Sequence, residues 1–387
     1  MAKVKHTRPG NSSDSQIISI ICGVIFAVFC VLYLHLLQPD LIGLEQHRAS
    51  SGQTVYNPLA GTIILSSLLT LTGFLLHYLL RLPLRVLSLS WMLSCYLLLI
   101  LTCTHFEDIP SDAGKTPVAT LCIIPLVYFI FLILCRIYPY AQTDKMPISS
   151  YLRTNLLILA FMFFVTGRLA NTNHLFHYEM KVARLADSGL YDEALQVGSH
   201  YTKTSRNLTA QRAYALSQKD KLGEDLFSYP MLGSQYLLPI MRDRVFSRNN
   251  RHVFLSLGYI PNTDGDFPVT HFLEMANRRD TLSSSTLHDY LLCAYLLDRN
   301  LPAFTSLLQQ TYMQSEELLP RYYREALLLS AQAHEDLRED STIWTTQDAE
   351  LFDAFLGILK EVGEDSLDAA PCSCLFGDTY WHYYFFE

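Results

Sequence analysis

The chain has 387 residues; half are hydrophobic and only 17% are charged, against about a quarter charged in an ordinary soluble protein. That excludes a chain that is soluble throughout, and the length leaves room for two or more domains. The net charge of −8 averages two different halves: residues 1–170 carry 11 Lys/Arg and 7 Asp/Glu, and residues 171–387 carry 18 and 30.

Five apolar runs in residues 1–170 are each about 20 residues long, enough to cross a bilayer core. They lie at about 17–37, 58–80, 84–104, 117–135 and 152–170. A core helix of a soluble protein rarely stays apolar on every face over such a length, so the runs predict five transmembrane helices. The first follows a basic start (Lys3, Lys5, Arg8) but continues into "VLYLHLL" with no A-x-A site after it, and is read as an uncleaved helix. Pro125 sits inside the fourth run, where neighbouring helices can accommodate a kink. Basic residues in the short flanks alternate from side to side: Lys3, Lys5 and Arg8, then Arg81 and Arg85, then Arg136, Lys145 and Arg153 mark one side. This places the N-terminus in the cytoplasm and residues 171–387 on the far side. Six of the nine cysteines (Cys22, Cys30, Cys95, Cys103, Cys122, Cys135) fall in the runs, where they act as small hydrophobes.

From about residue 171 the pattern becomes amphipathic helices separated by short breaks, with no strand-like alternation. "HYEMKVARLADSGLYDEALQVGSHYTK" reads as two helices around Ser188-Gly189, Gly189 standing where a helix ends. "NLTAQRAYALSQKDKLGEDLFSYP" repeats the form, with Pro230 as the stop. "SSTLHDYLLCAYLLDRNLPAFTSLLQQTYM" is a pair broken around Asn300, and "LPRYYREALLLSAQAHED" and "TTQDAELFDAFLGILKEVG" supply two more helices. "LGYIPNTDGDFPVT" (257–270) is expected to be an interrupting loop. The spacing of Tyr191 and Leu222 is near the 34-residue period of tetratricopeptide repeats. The expected fold is therefore all-α: five transmembrane helices in a membrane domain (1–170), then an irregular, tetratricopeptide-like α-solenoid (171–387), in which each helix pair buries its apolar face on its neighbours.

The chain closes on "PCSCLFGDTYWHYYFFE". So many rings in a terminal segment need cover. They are expected to pack on the helical stack; contact with the membrane surface and a partner-binding tail are the alternatives.

"YDEAL", "GEDLFSYP", "LLDRNLPAF", "LPRYYREALLL" and "FGDTYWHYY" resemble an uncharacterised family of Bacteroidota membrane proteins, which join several transmembrane helices to a helical, repeat-like C-terminal region. The resemblance covers about 174–387. It implies a Gram-negative inner membrane and a periplasmic C-terminal half. It brings no activity and no functional residues.

No charge lies near the centre of any run, which argues against ion-coupled transport. The topology gathers His35, His105, Glu107, Asp108, Arg168, His174 and His177 near the outer interface. His174 and His177 have a spacing that can hold a metal, but metal motifs carry more fixed ligands, and no metal or cofactor is expected. Cys372-x-Cys374 is not a redox motif; a disulfide of either with Cys293 is one alternative to free thiols. Asp264-Gly-Asp266 is read as a turn, and Arg242, Arg244, Arg248, Arg251 and His252 as a solvated helix face. No Walker loop, nucleophile elbow or zinc-protease motif is present.

The expected function is a membrane-anchored protein-interaction or scaffold protein of the cell envelope. Its partners would be the bilayer and an unidentified envelope protein, with no nucleic acid, since a net-acidic domain outside the cytoplasm does not suit one. The alternative is a membrane enzyme or cell-envelope polymer-handling protein with its site at His105, Glu107, Arg168 and His174. The topology is checked by fusions: a reporter near Lys145 should behave as cytoplasmic and one after Glu387 as exported. An exported signal at Lys145 would break the five-helix arrangement.

Overall fold

The computed structural model describes residues 12–50, 53–54, 56–80, 82–103, 118–137, 147–239, 247–258, 268–279, 285–312, 318–333, 344–362 and 375–386. Every regular element among them is helical, and they divide into two compact units, Met1–His177 and Tyr178–Glu387.

In the N-terminal unit, α1 (Ser12–Leu32) ends in a π-helical turn, Tyr33–Leu37. Then come α2 (Pro39–Ala49), α3 (Pro58–Leu80), a 3-10 segment Leu84–Trp91 running into α4 (Met92–Thr102), α5 (Val118–Ile137) and α6 (Ile148–Leu169). Four stretches are long and apolar enough to cross a membrane: Ser13–Leu37, Pro58–Leu80, Leu84–Thr102 and Ile148–Leu169. In α5 the apolar stretch is shorter, Ala119–Leu134. Large apolar side chains face outward on these helices, among them Ile63, Leu71, Phe129 and Phe161, as membrane association requires.

Trp91 fills the centre of this unit. It is fully buried, its ring 4.9 Å from Phe26 and 5.0 Å from Phe74. The indole fits because α3 offers no side chain at that point: a Cβ on Gly73 would lie 2.2 Å from the Trp91 ring. Helix ends are tied by hydrogen bonds that identify their directions. The Asn171 N–H donates to the Thr102 carbonyl at 2.7 Å, and Gln38 Nε2 donates to the Asn171 carbonyl at 3.2 Å. The C-terminal ends of the first, third and last spans therefore meet at one end. At the other end Asn155 of α6 accepts the Ser88 N–H at 2.7 Å and donates to the Leu84 carbonyl at 2.8 Å. That supplies backbone partners where the 3-10 segment has left the regular helical ladder, a need that is acute in lipid. Tyr96 Oη donates to the Leu121 carbonyl and Tyr128 Oη to the Leu89 carbonyl, so α5 runs antiparallel to the 3-10 segment and α4.

Helix α7 (His174–Asp187) leads into the C-terminal unit. There follow α8 (Tyr191–Gln196), α9 (Arg206–Ser217), α10 (Leu222–Asp225), two 3-10 turns (Leu226–Ser228, Ser234–Tyr236), α11 (Ser247–Ser256), α12 (Val269–Arg279), α13 (Ser285–Leu297), α14 (Leu301–Thr311), α15 (Arg321–Ala333), α16 (Thr346–Val362) and α17 (Tyr380–Phe386). The expected loop 257–270 gives way to α12 at Val269; its residues 259–267, including Asp264 and Asp266, lie outside the described residues. Three hairpins close with one device. Gly189, Asp220 and Arg299 adopt left-handed backbone, at φ +75°, +53° and +55°. The next N–H in each case reaches back five residues: Leu190 to Leu185, Lys221 to Leu216 and Asn300 to Tyr295. This satisfies the helix-end carbonyls. Consecutive helices pack on one another from α8 to α10 and from α12 to α16, and α10 also touches α13 and α15; α11 meets α12 through Phe254 and Phe272, ring centroids 5.9 Å apart.

The C-terminal rings pack on this stack. Trp381 is 1% exposed, against Phe352 at 4.9 Å and Phe355 at 6.0 Å. Its Nε1–H donates to the Glu325 carbonyl at 2.8 Å. The Glu325 side chain accepts the Tyr380 N–H at 2.6 Å and Arg321 Nε at 2.8 Å. Tyr380 and Tyr383 donate their hydroxyls to the Leu296 and Leu297 carbonyls at the end of α13. Burial pushes the Glu325 carboxyl up to about 7 in spite of the Arg321 charge.

Two outcomes follow. Trp381→Ala should cost about 3–5 kcal/mol, seen as a lower melting temperature and greater protease sensitivity of the C-terminal unit; an unchanged melting curve would contradict the packing. For Glu325 the folded value, about 7, lies above the ordinary 4.5, so the folded state holds the proton more tightly. Its contribution to stability is full below about pH 4.5 and is lost as pH rises to about 7. Glu325→Gln should remove that part of the pH dependence of unfolding; an identical profile in the variant would assign it elsewhere.

Candidate functional site

Two places gather polar chemistry, one in each unit. The first is the junction where the span ends meet. The Asn173 side chain caps α7, accepting the Leu175 N–H at 3.1 Å, and Asn171 accepts the Asn173 N–H at 3.0 Å. Side-chain oxygens at a helix start satisfy donors that the helix itself leaves open. The caps fix where His177 stands: its Nε2 is 3.3 Å from the Asn171 carbonyl. A carbonyl only accepts, so the neutral imidazole donates from Nε2 and keeps its Nδ1 lone pair. Burial lowers the His177 pKa, with Asp40 opposing and His174 adding to the effect. The group is thus a neutral base at pH 7, with a carboxylate near it. Thr102 lies in the same junction, its hydroxyl receiving that of Tyr33 at 3.2 Å.

Of the four residues singled out from the sequence, Arg168 and His174 are exposed at the end of α6 and the start of α7. His105 and Glu107 lie outside the described residues, as does Asp108. His35 stands in the π-helical turn. Gln38, Asp40, Thr102, Asn171 and Asn173 were missed. The alternating "NTN" before an amphipathic helix was the one available signal, as a cap. Among the described residues no three His, Cys, Asp or Glu side chains are placed to share a metal ion.

The second place is a cleft of about 890 Å³ in the C-terminal unit, lined by the left-handed Asp220, by Asn277 of α12, His288 and Asp289 of α13, Gln310 of α14 and Tyr312 just after it. Asp289 accepts the hydroxyls of Tyr312 at 2.6 Å and Tyr323 at 2.9 Å. Burial raises its pKa while both hydroxyls oppose the rise. His288 Nε2 is 3.0 Å from Asn277 Oδ1. The arrangement offers fixed acceptors to a cationic or hydrogen-bond-donating group.

Cys293 is a free, buried thiol, its Sγ 3.7 Å from Tyr323 Oη, and burial raises its pKa; it is not in a disulfide. Cys372 and Cys374 lie outside the described residues. So do Arg242 and Arg244 and the side chains of Arg248 and Arg251, while His252 is exposed on α11.

A family model described as a family of unknown function (DUF6057) matches residues 112–263 and 280–387. No curated protein and no solved structure matches the chain.

Proposed function

The chain belongs to the family of unknown function DUF6057, and on that premise we propose that it is a membrane-anchored protein-interaction or scaffold protein of the cell envelope. The observation that carries the reading is the polar cleft around Asp289, set among helices α12, α13 and α14. Stacked helix pairs present concave surfaces to peptide segments. Here the cleft carboxylates, Asp220 and Asp289, suit a segment bearing lysine or arginine. We read the stack as an irregular, tetratricopeptide-like α-solenoid; the common cap at Gly189, Asp220 and Arg299 supports this.

The reading carries a location. The protein sits in the inner membrane of a Gram-negative Bacteroidota cell with five crossings, its N-terminus cytoplasmic and its C-terminal unit periplasmic. The directions of the helices support the count. The third and last spans run parallel, so the chain between them returns to the first side, and antiparallel α5 lies in that return. The alternating basic flanks support the orientation.

A second reading, a membrane enzyme or polymer-handling protein, is favoured by the neutral His177, whose Nε2 faces the Asn171 carbonyl at the junction of span ends. It would draw on His105, Glu107, Arg168 and His174 as neighbours. One strain separates the two. A photo-crosslinker at Gln310, on the cleft, should trap the same envelope protein repeatedly in living cells. The trap should be lost with Asp289→Asn and absent with the crosslinker at exposed Glu193. Equal capture from both positions, or none, would sink the interaction reading. Full complementation of a deletion phenotype by alanine at His105, Glu107, Arg168, His174 and His177 would remove the enzyme.

A further inference from the structure

Arg212 lies in the middle of α9 and is 0% exposed. Its Nη2 donates to the carbonyls of Val197 at 3.3 Å and Gly198 at 2.9 Å, and its guanidinium sits over the Tyr229 ring, 5.0 Å from the centroid. Nε and Nη1 are buried and have no partner, and no carboxylate pairs with the side chain among the described residues. Burial lowers its pKa only to about 10, so the charge is present at neutral pH. A buried cation without a counter-charge is among the most costly arrangements a fold can hold. Two carbonyl dipoles and one ring face offset part of that cost; a full negative charge would offset far more.

The Tyr229 ring that covers Arg212 also lines a cleft of about 270 Å³, while Arg212 itself is not among the lining residues. Tyr229 is in its wall, and Ser199, His200 and Thr202 follow directly on the two carbonyls that hold Arg212. Gly198 makes that turn with φ +61°, where a Cβ would strike the Tyr178 ring at 2.8 Å. Ser228 and Thr379 also line it, their hydroxyls already bonded to the Tyr322 hydroxyl and the Phe376 carbonyl. Among the described lining residues none is acidic. The carboxylate of Asp378, next to Thr379, turns to Arg321 at 3.2 Å, and that of Asp225 is within 3.9 Å of Lys221.

We propose that this cleft is an oxyanion-binding site, in which hydroxyl and imidazole groups of the 199–202 turn grip a carboxylate or phosphate and buried Arg212 supplies the counter-charge from behind the Tyr229 wall. The volume suits a small organic acid or a phosphate ester. The site is distinct from the Asp289 cleft and does not depend on the interaction reading. Gly377, Thr379 and Tyr383 of the C-terminal segment also line it, so an occupied cleft stabilises the packing of that segment.

The test is calorimetric titration and thermal melting of the full chain in detergent micelles, with inorganic phosphate in one arm and acetate in the other, at constant ionic strength set by chloride. One of the two anions should bind saturably and raise the melting temperature, and the arm that does so distinguishes a tetrahedral from a planar ligand. Arg212→Met should melt at the same temperature as the parent or higher without anion, because an unpaired buried charge is gone, and should bind at least about tenfold more weakly. Ser199→Ala, at the rim, should weaken binding several-fold with melting unchanged, and decides the matter if Arg212→Met does not fold. No saturable response to either anion overturns the proposal. So does full affinity in Arg212→Met, or, where that variant does not fold, in Ser199→Ala.

Discussion

The Glu325 carboxylate is the contact on which closure of the C-terminal unit depends. It lies on α15, buried, and holds Arg321 one turn before it and the first N–H of α17 at Tyr380. Its own backbone carbonyl takes the Trp381 indole. One residue thus anchors both the start of the aromatic helix and its largest ring. A charge buried this deeply is unfavourable unless its oxygens are occupied. Both are occupied here, by one cation and one helix-start N–H, which limits but does not cancel the rise of its pKa to about 7. Arg321 in turn reaches Asp378, and the Arg321 N–H meets Glu224 on α10. Elements nearly a hundred residues apart are joined through this short stretch of α15.

The N-terminal unit meets a different constraint with different means. Apolar burial gives helices no reason to associate in lipid, so packing and hydrogen bonds must do it. Glycine at position 73 admits the Trp91 ring. Asn155 supplies both a donor and an acceptor to the 3-10 segment. Ser94 donates to the Leu69 carbonyl across helices. These contacts set which helices run parallel, and so bring Gln38, Thr102 and Asn171 to one end.

The two clefts of the C-terminal unit have opposite chemistry. Around Asp289 the unit offers acceptors, held by tyrosine hydroxyls at the end of α14 and on α15. Around the 199–202 turn it offers donors, with a buried cation behind them. Both arise where a hairpin is cut short: α8 has six residues and α10 four. A full second helix in either place would fill the space with its own side chains.

The sequence by itself determined the local elements. Apolar length marked the four helices long enough to cross a membrane, and amphipathic period with Gly189 and Asn300 marked the first hairpin and the α13–α14 break, because these signals are carried by residues adjacent in the chain. Asp220 and Arg299 were not legible as caps, since neither is the glycine that normally takes left-handed backbone. Val269–Arg279 was hidden behind a run of turn residues. Only the tertiary structure decided that Asn155 serves a segment 71 residues away, that Glu325 holds Tyr380 55 residues on, and that Arg212, an unremarkable arginine in an amphipathic stretch, is buried with no carboxylate partner among the described residues. Burial and hydrogen-bond partners at that range are properties of the packed chain. Local pattern records that a residue is polar, while its cost or use depends on which distant groups the fold brings to it.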